Sequence, residues 1–198
     1  GTITGTRLTR SPEVTPDYRL RVANDNIIFN ELFPGSAINT TLWSSPATTM
    51  TITVNGGFLN LNAGLSVASG AVARATTYRH FPCYKTYSTF FEIEAQFAQL
   101  PVTGNVCEWG AFISTGVVKP TDGAFFRIDS VGGFRGVISF NGTETTTDVL
   151  DFNTLVGVGS TKSFLIYVSS NKAQFWIDNI LVGTIIIPSG KGYTTASM

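Results

Sequence analysis

Thr89-Phe90-Phe91-Glu92-Ile93-Glu94-Ala95-Gln96-Phe97 alternates with a period of two: Phe91, Ile93, Ala95 and Phe97 point to one side of an extended chain, and Glu92, Glu94 and Gln96 to the other. The same rhythm returns in Ala124, Phe126 and Ile128, in Phe134, Ile138 and Phe140, in Phe164, Ile166 and Val168, and in Phe175 and Ile177. Five strands thus nominate one continuous apolar layer. Full burial of a Phe or Ile side chain is worth about 1.5–3 kcal/mol, so a dozen such residues suffice to hold two sheets together. No segment sustains a 3.6-residue apolar period, which predicts almost no helix.

Working outward, short apolar or alternating runs recur between Gly, Asn and Pro. They predict strands near residues 27–33, 47–54, 57–62, 65–79, 88–99, 106–114, 123–129, 134–141, 162–170, 172–178 and 180–187. Asn55-Gly56-Gly57 is a hairpin signal, because residues tolerant of positive φ suit the primed turns that match strand twist. Ser170-Asn171, Asp178-Asn179 and Asn141-Gly142 read as further turns. Residues 1–25 carry scattered charge and the pairs Ser11-Pro12 and Thr15-Pro16 without apolar periodicity, which predicts an extended arm. The sandwich is expected over residues 26–190, with 191–198 a tail or the start of a further segment.

Composition agrees with a sandwich and narrows the partners. Charged residues are 13% of the 198, while Thr occurs 27 times and Phe 15 times, a strand-forming mixture. The 13 basic and 13 acidic residues cancel, so the positive footprint of a nucleic-acid binder is missing. No apolar run approaches the roughly 18 residues that span a bilayer, and no secretion signal opens the sequence. Neither nucleic acid nor membrane is expected as a partner. Cys83 falls between two predicted strands and Cys107 within another; they read first as two buried thiols, with a disulfide as the open alternative.

The side of the strands facing away from the apolar layer is unusual. It presents Glu92, Glu94, Arg127, Arg135, Ser139, Tyr167, Gln174 and Trp176, with Phe90, Phe125 and Leu165 among them. So many large apolar groups on an outward face predict a contact surface, the alternative being a cover of loops or of the arm. Trp176, Tyr167, Arg127, Arg135, Gln174, Glu92 and Glu94 are therefore the candidate ligand-binding residues. Aromatic rings stack on pyranoses and equally anchor protein interfaces, so glycan and protein both remain open as ligands.

Phe90-Phe91-Glu92-Ile93-Glu94-Ala95, Glu108-Trp109-Gly110-Ala111-Phe112, Gly123-Ala124-Phe125-Phe126-Arg127-Ile128 and Ala173-Gln174-Phe175-Trp176-Ile177-Asp178 resemble the successive central strands of concanavalin A-like and laminin G-like sandwiches. The resemblance covers roughly residues 27–188 and implies an all-β, antiparallel jelly-roll fold. It does not fix function, since that superfamily includes lectins, glycosidases, adhesion modules and viral structural domains. Pro16-Asp17-Tyr18-Arg19-Leu20-Arg21-Val22, Ile28-Phe29-Asn30-Glu31-Leu32-Phe33 and Leu42-Trp43 are similar to the opening of tailed-bacteriophage virion proteins, in which an arm precedes such a sandwich.

The glycosidases of the superfamily use a strand motif E-x-D-x-x-E. The matching place here reads Glu92-Ile93-Glu94-Ala95-Gln96-Phe97, with two carboxylates on one face about 6.6–6.8 Å apart but no third acid. His80 is the single histidine, so His-rich metal sites are excluded, and a nucleophile-base pair with Cys83 has no orienting group. Some lectins of this fold hold calcium through loop carboxylates, for which Asp122 or Asp129 would serve, but no recognisable ligand run is present. No catalytic residue, metal or cofactor is expected.

The expected function is a non-enzymatic virion structural protein, a capsid decoration, head-fibre or tail-associated component. Residues 1–25 would anchor it to other subunits, as a homo-oligomer on the particle surface. The alternative is a lectin-like module that binds cell-surface glycan, and a glycoside hydrolase comes third.

Overall fold

A computed structural model of the chain describes residues 27–64, 70–82, 88–114, 119–131, 133–187 and 195–196. The arm expected over residues 1–25, Cys83, and most of the tail expected over 191–198 lie outside the described residues. Short strands come first: β1 (Trp43–Ser44), β2 (Ala47–Thr48), β3 (Thr51–Asn55), β4 (Phe58–Asn62), β5 (Val72–Ala73), β6 (Thr76–Thr77) and β7 (Phe81–Pro82). Eight further strands follow, β8 (Thr89–Gln96), β9 (Val106–Ile113), β10 (Asp122–Asp129), β11 (Phe134–Phe140), β12 (Thr143–Thr146), β13 (Thr161–Val168), β14 (Lys172–Ile177) and β15 (Ile180–Ile186). A single helical turn, α1 (Phe152–Leu155), joins β12 to β13, and β16 (Thr195–Ala196) pairs with β7.

Strands β8 to β15 make two four-stranded antiparallel sheets, ordered β12-β11-β10-β9 and β15-β14-β13-β8. The first is a meander. In the second, β8 lies beside β13 although the whole first sheet separates them in sequence, so the chain crosses between layers before β9 and again at α1. Asp151 caps α1 by accepting from the Asn153 and Thr154 backbone N–H groups, which starts the helical turn at the second crossing.

The expected apolar layer is the interior. Ala124, Phe126, Ile128, Phe134, Ile138, Phe164, Ile166, Phe175 and Ile177 are buried in one cluster, with Phe91, Ile93, Ala95, Phe97, Phe140 and Val168 packed against it. Phe126 of the first sheet meets Phe164 and Phe175 of the second edge-on, at centroid distances of 5.3 and 5.2 Å. Gly136 makes the close approach possible: a Cβ there would lie 2.5 Å from the Phe175 ring.

The hairpins follow the turn residues. Asn55 pairs with Phe58, Phe140 with Thr143 and Ile177 with Ile180, leaving two-residue loops. Gly56-Gly57, Asn141-Gly142 and Asp178-Asn179 occupy these loops with positive φ at both positions, the geometry of the primed turn.

Four expectations need correction. Residues 27–33 hold no strand: they are apolar, but Phe33 turns to φ 48 and no ladder partner is formed among the described residues. The strand expected at 47–54 is broken by Thr49 at φ 63. In place of one strand over 65–79 there are β5 and β6, which pair with β2 and β1 in an interrupted ladder, residues 65–69 lying outside the described set. β12 was not expected, because Thr143-Glu144-Thr145-Thr146 carries no apolar residue, and the Asn141-Gly142 turn brings it beside β11.

Candidate functional site

Two sheets have two outer faces, and this divides the residues that the sequence placed on a single face. Arg127 and Arg135 project from β10 and β11 of the first sheet. Glu92 and Glu94 on β8, Tyr167 on β13, and Gln174 and Trp176 on β14 share the outer face of the second. The separation keeps Glu92 and Glu94 apart from Arg127 and Arg135.

The outer face of the first sheet is covered and internally neutralised. Phe125, Val137 and Ser139 are fully buried although they point away from the interior. Phe125 lies directly across from Gly110, and its Cα would sit 2.6 Å from a Cβ at that position, so the ring folds over bare backbone. Arg127, 8% exposed, stretches over the same ring with its guanidinium carbon 5.2 Å from the centroid. Arg127 Nε donates to Glu108 at 2.6 Å, and its two terminal nitrogens donate to the two oxygens of Glu144 at 2.6 and 2.7 Å. The two carboxylates respond in opposite directions. Burial holds Glu108 above the usual value against the pull of Arg127, whereas hydrogen bonds from Arg127 hold Glu144 below it against burial. Hydrogen bonding to Glu144 raises the Arg127 pKa, so the guanidinium is permanently charged. Both acids are committed to one cation, which makes the group a structural clamp.

The outer face of the second sheet is open. Its cross-strand rows read Phe90, Tyr167, Gln174, Thr184 and, next to it, Glu92, Leu165, Trp176, Leu181. Phe90 is 53% exposed and Leu181 43% exposed, while Tyr167 and Trp176 are half-buried. Phe90 and Tyr167 lie 5.0 Å apart at 42°, and the Tyr167 hydroxyl is 2.9 Å from Ser88 Oγ, which fixes the ring. Trp176 stands one strand over and two residues along from Tyr167, a diagonal of about 7–8 Å. Lys172 places its ammonium 6.0 Å from the Tyr167 centroid at one end of the face, and Glu92 and Glu94 are exposed toward the other. Two separated aromatic stations, flanked by an amide and hydroxyls, are suited to stacking against flat ligand surfaces and hydrogen-bonding their rims.

Phe90, Leu181, Lys172 and Thr184 belong to this face but were not among the candidates drawn from the sequence. Alternation exposes Phe90 to view, but which strand lies next to which has no local signal. The remaining chemistry is spent on structure. Gln96, beside the Phe97 that occupies the motif's third acid position, donates its amide to the Gly159 carbonyl. Asp122 accepts from the Asn141 N–H, and Asp129 from those of Val131 and Gly133, so both loop carboxylates fasten turns. No cluster of three or more metal-ligating side chains occurs among the described residues. His80 is exposed. Cys107 is a free thiol whose pKa burial, with the nearby Glu108 charge adding, pushes up to about 12, leaving it unreactive at neutral pH.

No protein-family model matches the sequence, and no curated relative matches it. Among solved structures the chain is similar to a β-glucanase from Bacillus licheniformis, with TM-score 0.51 and 12% identity over 84% of this chain and 82% of that one. It is also similar to the carbohydrate-binding module CBM66 from Bacillus subtilis, with TM-score 0.44 and 10% identity over 79% of this chain and 86% of that one. The first likeness shows the fold, a concanavalin A-like jelly roll, and nothing of shared chemistry. The second is too loose to carry an argument. Neither is a virion protein.

Proposed function

We propose that this domain binds carbohydrate without cleaving it, on the outer face of the β15-β14-β13-β8 sheet. The observation that carries the reading is the open aromatic pair of stations, Trp176 and the Phe90–Tyr167 couple, on a face whose counterpart across the sandwich is covered. Gln174, Thr184 and Ser88 stand beside the rings to meet sugar hydroxyls. The non-catalytic part of the reading is supported by the acids that are missing: Glu92 and Glu94 share one face of β8, but Phe97 stands at the third acid position of the strand motif and the neighbouring Gln96 is hydrogen-bonded to the Gly159 carbonyl. Glu108 and Glu144 are held by Arg127.

A glycan array probed with the wild-type domain and with Trp176→Ala tests the reading. Binding that disappears in the variant supports it; no binding, or binding indifferent to Trp176, refutes it. Placement on a virion, with residues 1–25 joining neighbouring subunits of a homo-oligomer, rests on the resemblance at residues 16–43 and is compatible with this face pointing outward. Deleting residues 1–25 should then abolish incorporation into the particle while the sandwich stays folded.

A further inference from the structure

Resting on the glycan reading above, we infer that the Phe90–Tyr167 end of the open face takes an anionic substituent of the glycan, a carboxylate or a sulfate, and that Lys172 selects for it. The donors gathered around one ring carry the inference. Lys172, Gln174 and Trp176 alternate along β14 with the buried Ala173, Phe175 and Ile177, so Lys172 projects on the open side. It is half-buried, and its ammonium lies 6.0 Å from the Tyr167 centroid. The ring contact uses none of its N–H donors, and Lys172 makes no ion pair or side-chain hydrogen bond among the described residues. At the tip of the same ring, Tyr167 Oη and Ser88 Oγ share one hydrogen bond of 2.9 Å. Whichever hydroxyl donates in it, the other keeps its proton to give to a ligand.

The neighbouring rows of the face place no acid beside these donors. The row of Lys172 continues into Ile186, and the next reads Phe90, Tyr167, Gln174, Thr184. Glu92 lies two strands over, in the row of Trp176, and Glu94 further still. By strand spacing and rise that is roughly 16 Å from Lys172, against a screening length of about 8 Å at physiological salt. What binds beside Tyr167 is therefore independent of the charge on β8. A sugar unit resting on Phe90 and Tyr167 brings a carboxylate or sulfate at its rim to the ammonium and the spare hydroxyl. Charge-assisted hydrogen bonds then form where a neutral sugar would make ordinary ones.

Isothermal titration of the intact domain tests this with galactose oligomers, galacturonate oligomers and sulfated galactose oligomers of one linkage and length. At low salt at least one anionic series should bind about fivefold more tightly than the neutral one, as a partly exposed charge pair allows, and about 1 M salt should remove most of the difference. Lys172→Gln should bring the ratio close to unity. Lys162→Gln, which removes a cation already paired with Asp178 at 2.7 Å, should leave the ratio as it is. A preference for one anionic series alone supports the inference and identifies the group. Equal or weaker binding of both in the wild type, or a preference that survives Lys172→Gln or is equally lost in Lys162→Gln, overturns it and leaves glycan binding standing. If no oligomer binds, or if Trp176→Ala changes no titration, the glycan reading itself falls.

Discussion

Phe90-Phe91-Glu92-Ile93 and Phe125-Phe126-Arg127-Ile128 share one pattern, two phenylalanines, a charge and an isoleucine, yet they end in opposite surroundings. Phe91 and Ile93 face the same interior as Phe126 and Ile128. On the other side, Phe90 is 53% exposed on an edge strand, whereas Phe125 is fully buried on a central one. Likewise Glu92 is exposed, and Arg127 is clamped between Glu108 and Glu144. Alternation decides which side chains enter the core. What happens on the outer side is decided by where the strand sits in its sheet and by what lies across from it.

The sharpest way to break the comparison is to truncate the two outward phenylalanines. Phe125→Ala should cost about 3–5 kcal/mol, as a core truncation does, because ring and cavity are sealed. Phe90→Ala should stay within about 0.5 kcal/mol. Urea unfolding of both variants checks this, and comparable losses would erase the distinction between covered and open faces.

Next in size is the charge on the covered face. Arg127→Leu leaves Glu108 and Glu144 near one another without their cation and should destabilise by about 3 kcal/mol. Across the sandwich, Glu92→Leu should change stability by less than about 0.5 kcal/mol in the same denaturation experiment.

The two acids of the clamp also make a pH prediction with opposing signs. Glu144 sits below its unfolded value, so its stabilisation is present above about pH 4.3 and is lost as pH falls through the lower folded value. Glu108 sits above its unfolded value, so its contribution is present below about pH 4.3 and is lost as pH rises through the raised folded value. In wild type the two partly cancel. Between about pH 6 and pH 3, Glu144→Gln should flatten the fall in stability on acidification and Glu108→Gln should steepen it. Melting curves at stepped pH report both slopes, and parallel slopes would contradict the assignment.

At the proposed site stability and binding should come apart. Trp176→Ala should shift unfolding by about 1 kcal/mol or less, because the ring stands partly free, while it removes glycan binding. A large drop in stability would make Trp176 a packing residue instead.

Much of the fold is legible in the sequence because the interior is written in a two-residue rhythm of Phe and Ile, punctuated by Asn55-Gly56-Gly57, Asn141-Gly142 and Asp178-Asn179. β12 is illegible for the converse reason: its threonines carry no rhythm, and its position depends on the turn before it and on Glu144 reaching Arg127. The apolar stretch 27–33 misleads, because composition suits a strand but pairing is a tertiary event. The candidate site was half legible. Trp176, Tyr167, Gln174, Glu92 and Glu94 do share a face, but Arg127 and Arg135 belong to the other sheet, since sheet membership is set by crossovers that no local pattern records.

Titration of isotope-labelled protein with a neutral oligosaccharide, followed through backbone amide resonances, bears most directly on which face is the working one. Shifts should concentrate at Phe90, Tyr167, Gln174, Trp176 and Leu181, with Phe125, Arg127 and Val137 unmoved. Shifts gathered around Arg127 and Glu144, or no shifts at any oligosaccharide concentration, would contradict the account.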